Sequence, residues 1–289
     1  MTQGEQAPDG FRSGFAAIVG RPNVGKSTLL NQILDHKITI VSDKAQTTRH
    51  QIRGVLTTEE VQIVFVDTPG ISKPRTALGD RLNELADSAV GDVDVVLFVV
   101  DARSGFGKGD RFLAERLSPD NTVVVLNKID GLDGEKVMAQ LSATGELDFS
   151  AYFPVSAWTG KGVDALVSHV SALMPPGPLW YPAEMVTDVQ EAFTVAELVR
   201  EQLLHILRDE LPHSVATRVV EWEWPRIKVE ILVERDSQKG IVIGKQGAIL
   251  KDVGTRVRRQ MPDGVYLELV VNVDKNWQQD RTAIERLGY

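Results

Sequence analysis

The first 175 residues alternate near-continuous apolar runs with segments of mixed polarity. Residues 15–20, 62–66, 93–100, 122–126 and 152–155 are apolar stretches of strand length. They end at Gly20, Asp67, Asp101, Asn127 and Ser156. Residues Lys26–Leu34 and Val163–Leu173 instead place apolar side chains at helical spacing. Strands without polar alternation are buried on both faces, which predicts a parallel sheet between two layers of helices. Such a doubly wound α/β sheet binds its ligands at the carboxyl ends of its strands. The residues that end the runs are therefore the candidates for chemistry.

The pattern changes after Met174-Pro175-Pro176-Gly177-Pro178-Leu179-Trp180-Tyr181-Pro182. Four prolines in nine residues cannot continue a helix and predict a semi-rigid linker. Beyond it come a helical pattern over 193–207, strand patterns over 215–223 and 228–233, a helix over 248–259 and a strand over Tyr266–Val273. That order, α-β-β-α-β, predicts a second, smaller α+β domain. The expected organisation is a flexible extension over 1–14, the α/β domain over 15–175, a Pro-rich linker over 176–190 and the α+β domain over 191–289.

Composition adds exclusions. A chain of 289 residues has room for two domains. With no cysteine, disulfides, Cys-ligated zinc and iron–sulfur clusters are excluded. The polar, non-basic N-terminus is not expected to be a signal peptide. No apolar run approaches the ~18–20 residues of a membrane span, so a cytoplasmic protein without an integral membrane segment is expected. The net charge of −8 argues against non-specific coating of nucleic acid. Charge is local, however: residues 235–260 carry seven basic residues against two acidic ones.

Gly20-Arg21-Pro22-Asn23-Val24-Gly25-Lys26-Ser27, followed by Thr28, fits the phosphate-loop pattern between a strand and a helix. There, backbone N–H groups and the helix N-terminus face phosphate, Lys26 reaches the β- and γ-phosphates, and Ser27 ligates Mg²⁺. Asp67-Thr68-Pro69-Gly70 follows a strand; Asp67 suits Mg²⁺ through a water, and the Gly70 N–H suits a γ-phosphate. Asn127-Lys128-Ile129-Asp130 ends another strand. Asn127 suits purine N7 and O6, the Lys128 stem can cover the base, and Asp130 accepts from guanine N1–H and N2–H₂. Adenine lacks those donors, so a site built on them discriminates strongly. Ser156, Ala157 and Trp158 end the next strand; Ser156 can brace the loop and the Ala157 N–H can reach O6. GTP or GDP with Mg²⁺ is the expected ligand. The four loops resemble the guanine-nucleotide set of translation-factor-class GTPases.

Ala45-Gln46-Thr47-Thr48-Arg49-His50 lies before the 62–66 strand. A Thr here supplies a Mg²⁺ ligand only while γ-phosphate is present; Thr48 is favoured over Thr47. Ser27, Thr48 and Asp67 are thus the expected metal ligands, and Lys26, Thr48 and Gly70 the expected catalytic groups. Ile71 stands where many GTPases carry a water-orienting Gln. Intrinsic hydrolysis should be slow, of order 10⁻⁴–10⁻² s⁻¹. Asn23 resembles the Asn with which related GTPases hold K⁺ against the phosphates.

In the second domain, Ile243-Gly244-Lys245-Gln246-Gly247 joins an apolar segment to an amphipathic helix within the basic window. Two glycines in a tight helix–helix turn let the backbone clamp about four nucleotides of a single strand. Lys239, Lys251 and Arg258 can face that strand beside Lys245. The element order matches a type II KH domain, and unpaired RNA is the expected ligand. The five histidines show no metal-ligand spacing. Trp222, Trp224 and Trp277 could stack on bases, but packing in a core or domain interface is favoured.

Taken together, these motifs resemble the Era family over residues 15–289. They are the phosphate loop, Gln46-Thr47-Thr48-Arg49, Asp67-Thr68-Pro69-Gly70 with apolar Ile71, the Pro-rich linker, the Gly244–Gly247 turn and the ending Arg286-Leu287-Gly288-Tyr289. The resemblance implies binding of the 3′ end of 16S ribosomal RNA, action in small-subunit (30S) assembly and maturation, and slow GTP hydrolysis. It also implies peripheral contact with the inner membrane; a monomer is expected. A tRNA-modification-type GTPase, or an RNA-binding module with a weak nucleotide site, are the alternative readings.

Overall fold

The computed structural model describes residues 7–289. The chain divides into two compact units. The first holds β1 (Arg12–Gly20), α1 (Lys26–Leu34), β2 (Ile52–Thr57) and β3 (Val61–Asp67). Then come α2 (Ala77–Ser88), β4 (Val95–Asp101), α3 (Lys108–Ala114), β5 (Thr122–Asn127), α4 (Gly134–Gly145), β6 (Ala151–Pro154) and α5 (Val163–Leu173). The six strands form one sheet in the order β2-β3-β1-β4-β5-β6.

Its burial explains the lack of polar alternation. Ala16 and Ile18 of β1 face a core that includes Leu29, Leu30 and Ile33 of α1 and Val163, Leu166 and Val170 of α5. Ala17 and Val19 face the opposite core, with Leu113 and Ala114 of α3. Each fully buried aliphatic side chain contributes roughly 1.5–3 kcal/mol, so both layers stabilise the sheet. All strand pairs are parallel except β2–β3, which is antiparallel. This pair departs from the parallel sheet that the apolar runs predict. The short turn at 58–60, closed by Thr58 N–H on the Val61 carbonyl at 2.8 Å, makes β2 and β3 a hairpin.

Two boundaries differ from expectation. Residues 1–6 of the expected extension lie outside the described residues, while Arg12–Gly14 already belong to β1. Arg12 pairs with Val61, and its Nε donates to the Met174 carbonyl at 2.6 Å. The Pro-rich segment is no free spacer either. Gln62 of β3 is wholly buried; its Oε1 accepts from the N–H of Trp180 (2.7 Å) and Tyr181 (3.0 Å), and its Nε2 donates to the Tyr181 carbonyl. Val55 N–H donates to Val186 at 2.8 Å. Proline-rich backbone has carbonyls to offer and few N–H groups, and a buried glutamine supplies both complements.

The second unit comprises Val189–Tyr289 with the segments Ile40–Thr47 and Pro74–Arg81. It contains α6 (Glu191–Ile206), α7 (Leu211–Ser214), β7 (Ala216–Glu223), β8 (Arg226–Val233), α8 (Asp236–Ile243), α9 (Ala248–Arg258), β9 (Tyr266–Val273) and α10 (Arg281–Arg286). β8 pairs antiparallel with β7 and parallel with β9. Alternate residues of β8, Ile227, Val229, Ile231 and Val233, pack with Val195, Leu198, Val199 and Leu203 of α6 and Val253 and Val257 of α9. One face of this sheet is therefore covered, which is why its strands alternate. Trp277 is wholly buried, donates from Nε1 to the Ser214 carbonyl at 3.0 Å and stacks on Tyr289; Trp222 and Trp224 are exposed.

α6 also buries charge. Arg200 is fully buried and donates to both carboxylate oxygens of Glu197 and to the Thr47 carbonyl. Burial works against its charge, but Glu197 more than compensates and holds the guanidinium pKa above its usual value. Glu201 Oε1 accepts from Val41 N–H at 3.0 Å. The segment Ile40–Thr47 has no strand partner, and these side chains satisfy part of its backbone.

Candidate guanine-nucleotide site and RNA-binding turn

The loop after β1 turns on Gly25, whose φ is 96° and which caps α1. A Cβ there would lie 2.4 Å from the Asn127 amide, so only glycine lets the phosphate loop approach the β5 end. Lys26, at the first turn of α1, is buried, and its Nζ donates to the carbonyls of Gly20 (3.2 Å) and Arg21 (3.1 Å). Burial lowers its pKa to about 8, and the Asp67 carboxylate opposes the shift. The Arg21 side chain turns away from the loop to pair with buried Asp110 at 3.0 Å. The loop therefore offers Arg21 backbone, not its guanidinium.

Three oxygens meet beside Lys26. Ser27 Oγ donates to Asp67 Oδ2 at 2.7 Å and lies 2.7 Å from Thr48 Oγ1, which donates to the same Oδ2 at 3.4 Å. Asp67 Oδ1 is buried without a hydrogen-bond partner. Burial raises the Asp67 pKa, while Lys26 and the two hydroxyls lower it. An all-oxygen set with one carboxylate and one unsatisfied buried lone-pair site fits Mg²⁺, which takes few protein ligands and completes its shell with phosphate and water. Among the described residues no group of three His, Cys, Asp or Glu could hold another metal. Thr47 is not part of this cluster: its hydroxyl donates to the Lys44 carbonyl at 2.7 Å and lies 2.7 Å from Ser42 Oγ. Buried Thr68 donates to the Ile18 carbonyl at 2.8 Å, pinning the loop through Pro69 and Gly70 to β1. The next residue, Ile71, donates its N–H to the Gly20 carbonyl at 3.3 Å and packs its side chain against the core. It offers no polar group to an attacking water.

A cavity of about 380 Å³ opens beside the phosphate loop, lined by Gly25, Thr28, Arg103, Asn127, Lys128, Asp130, Ala157 and Trp158. Buried Asn127 braces it: Nδ2 donates to the Val24 carbonyl at 2.9 Å and Oδ1 accepts from Ala157 N–H at 2.9 Å. The Ala157 N–H expected to face a base oxygen is thus held by Asn127, which keeps one amide hydrogen for a ligand. Lys128 donates from Nζ to the Asn23 carbonyl and, at 2.7 Å, to Asp101 Oδ2. Asp130 Oδ1 accepts from the wholly buried Ser156 hydroxyl at 2.8 Å, and its Oδ2 accepts from Arg103. The sequence marks Asp101 only as an acid closing an apolar strand, with no role assigned, and gives no signal for Arg103.

In the second unit, α8 ends at Gly244 (φ 75°), and a single turn through Lys245, Gln246 and Gly247 starts α9. A Cβ on Gly244 would come within 2.8 Å of Ile249, so this residue must be glycine for the helices to pack. Lys245, Gln246, Lys251 and Arg258 are exposed, Lys239 and Gly247 partly so, and Ile243 packs against the core.

Known proteins share both parts. Residues 15–128 match the 50S ribosome-binding GTPase family and residues 210–278 the KH domain family. The chain is similar to a crystal structure of Era in complex with MgGDPNP and nucleotides 1506–1542 of 16S ribosomal RNA, with 36% identity and a TM-score of 0.92 over 96% of this chain and 99% of that one. A Tyr-to-Ala variant of Aquifex aeolicus Era bound to GDP·AlF₄⁻ matches with the same identity, coverage and TM-score. The expected pairing of a wound-sheet GTPase domain with a KH domain is thereby established. A likeness that runs through both domains and nearly the whole of each chain fixes the relationship: the chain belongs to the Era family of GTPases.

Proposed function

We propose that this chain is a GTP-driven switch that binds the 3′ end of 16S ribosomal RNA through its KH domain and acts in assembly and maturation of the small ribosomal subunit. The observation that carries the proposal is the likeness, over both domains, to a relative holding MgGDPNP and 16S nucleotides together. In this reading Lys26 and the backbone from Gly20 to Thr28 hold the phosphates, and the Gly70 N–H meets the γ-phosphate. Ser27 and Thr48 ligate Mg²⁺, and Asp67 acts on it through a water. Held there, Mg²⁺ would supply positive charge to the phosphates during hydrolysis. Asn127, Lys128, Asp130, Ser156, Ala157 and Trp158 form the base pocket. A monomer in the cytoplasm is part of this proposal; peripheral membrane contact is not.

Thr48 lies in the loop before β2, and a loop that orders when Thr48 meets the ion is the element proposed to tie nucleotide state to RNA release.

The RNA half is tested at the Gly244–Gly247 turn. Introducing Gly244→Asp and Gly247→Asp together adds two carboxylates where a phosphate backbone would approach. Binding of a 16S 3′-end oligonucleotide should fall by at least an order of magnitude, while basal GTP hydrolysis stays unchanged. Gly247→Asp alone, which meets nothing within 4 Å, guards against misfolding at Gly244. Retained binding in both variants would show that this turn does not hold the RNA.

With Ile71 unable to orient water, another charge must assist hydrolysis. Asn23 is exposed at the tip of the phosphate loop with φ 64°. Its side chain is proposed to hold K⁺ against the phosphates. The rate at saturating GTP should be several-fold higher in potassium than in sodium, and Asn23→Ala should remove the difference. Equal rates in both salts would eliminate the cation.

A further inference from the structure

We infer that Arg103 is an internal competitor of the guanine base, occupying the Asp130 carboxylate until nucleotide displaces it. The inference rests on the reading of Asp130 as the guanine-recognising carboxylate. The two oxygens of Asp130 are held very differently. Oδ1 takes a hydrogen bond from Ser156, which is wholly buried. Oδ2 takes one from Arg103 Nη2, which also donates to the Asp130 carbonyl at 3.0 Å. The Arg103 side chain is about half exposed, at 53%.

The turn after β4 aims the guanidinium there. Asp101 Oδ1 accepts the Arg103 N–H at 2.9 Å and so fixes the start of the turn. Asp101 Oδ2 is already engaged by Lys128 at 2.7 Å. Asp130 is thus the carboxylate left for Arg103, and Asp101, Lys128 and Arg103 form one chain of opposite charges around the cavity mouth.

The chemistry of the competition is specific. The N1–C2–N2 edge of guanine is itself a guanidine-like fork of N–H donors. Arg103 presents the same kind of donor to the same oxygen, and both Arg103 and Asp130 line the cavity. Guanine can replace what Arg103 gives Asp130. Adenine has no matching donors, so it meets the arginine without a means to displace it. Arg103 therefore keeps a partly buried carboxylate satisfied and weakens guanine-nucleotide binding by the strength of the pair. Exposed ion pairs of this kind contribute little, so the effect is modest.

The test is calorimetric titration of the full chain with GDP and Mg²⁺ at low and high salt. Arg103→Ala should tighten GDP binding about two- to fivefold at low salt, with the gain shrinking at high salt. Arg103→Lys, which keeps the charge but not the fork, should fall between the two. In an Asp130→Asn background, Arg103→Ala should give no gain. Weaker or unchanged binding of Arg103→Ala would overturn the inference, as would the same gain without the Asp130 carboxylate. If Asp130→Asn by itself left GDP affinity intact, the assignment of Asp130 would fail, and the competition with it. If Asp130→Asn weakened GDP but Arg103→Ala gave no gain, only the role of Arg103 would fail.

Discussion

Replacing Lys26 with alanine should weaken GTP and GDP binding by about 3–5 kcal/mol, which takes a micromolar ligand beyond ordinary detection. Lys26 opens α1 at the end of a glycine turn, and its ammonium is buried against the Gly20 and Arg21 carbonyls. Phosphates entering the loop bring their charge to a buried cation, where the low dielectric strengthens attraction and leaves any unmatched charge costly. Without Lys26, that charge faces the Asp67 carboxylate unopposed. The fold should not suffer. Alanine is the best helix former, so α1 keeps its start. Burial also holds the lysine pKa near 8, so the protonated side chain costs the nucleotide-free fold some stability at neutral pH. Thermal unfolding without nucleotide should stay cooperative in Lys26→Ala, which separates lost binding from lost fold. Titration calorimetry checks the affinity; a GDP Kd within threefold of the unaltered chain would remove Lys26 from the phosphate site.

Asp130→Asn should lower affinity for guanine nucleotides roughly 10²–10⁴-fold and raise affinity for xanthine nucleotides. Two charge-assisted hydrogen bonds are at stake, each contributing about 1.5–3 kcal/mol. Guanine donates from N1–H and N2–H₂ to the carboxylate. An amide turns one acceptor into a donor, which meets the guanine N2–H₂ donor to donor but suits the carbonyl that xanthine carries at C2. Ser156 can still donate to the remaining oxygen, so the loop should keep its brace. The exchange of preference, rather than simple loss, separates recognition from damage.

Much of the architecture was legible from local signals. The phosphate loop announced itself because a glycine turn between a strand and a helix leaves few alternatives for Gly25 and Lys26. Asp67 and Asn127 were legible because each closes an apolar strand, and in a wound sheet that edge is where ligands sit. β2 escaped notice because Ile52-Arg53-Gly54-Val55-Leu56-Thr57 is short and interrupted by Gly54, whose Cβ would clash with Leu34 at 2.4 Å. Its direction depended on the hairpin at 58–60, which periodicity does not encode. After Met174 the prolines speak only of local stiffness, so the sequence predicts a semi-rigid linker there. Its seat beside Gln62 is a tertiary fact, carried by one buried amide over a hundred residues away in sequence. Arg103 was invisible for the same reason: an arginine two residues past a strand looks like solvated charge until Asp130 is seen beside it.

Four strand ends converge on one pocket built for a guanine nucleotide. Its most direct test is competition between GTP and XTP for the unaltered chain and for Asp130→Asn, both with Mg²⁺. GTP should be the tighter ligand of the first and XTP the tighter ligand of the second. The same order of preference in both proteins would contradict it.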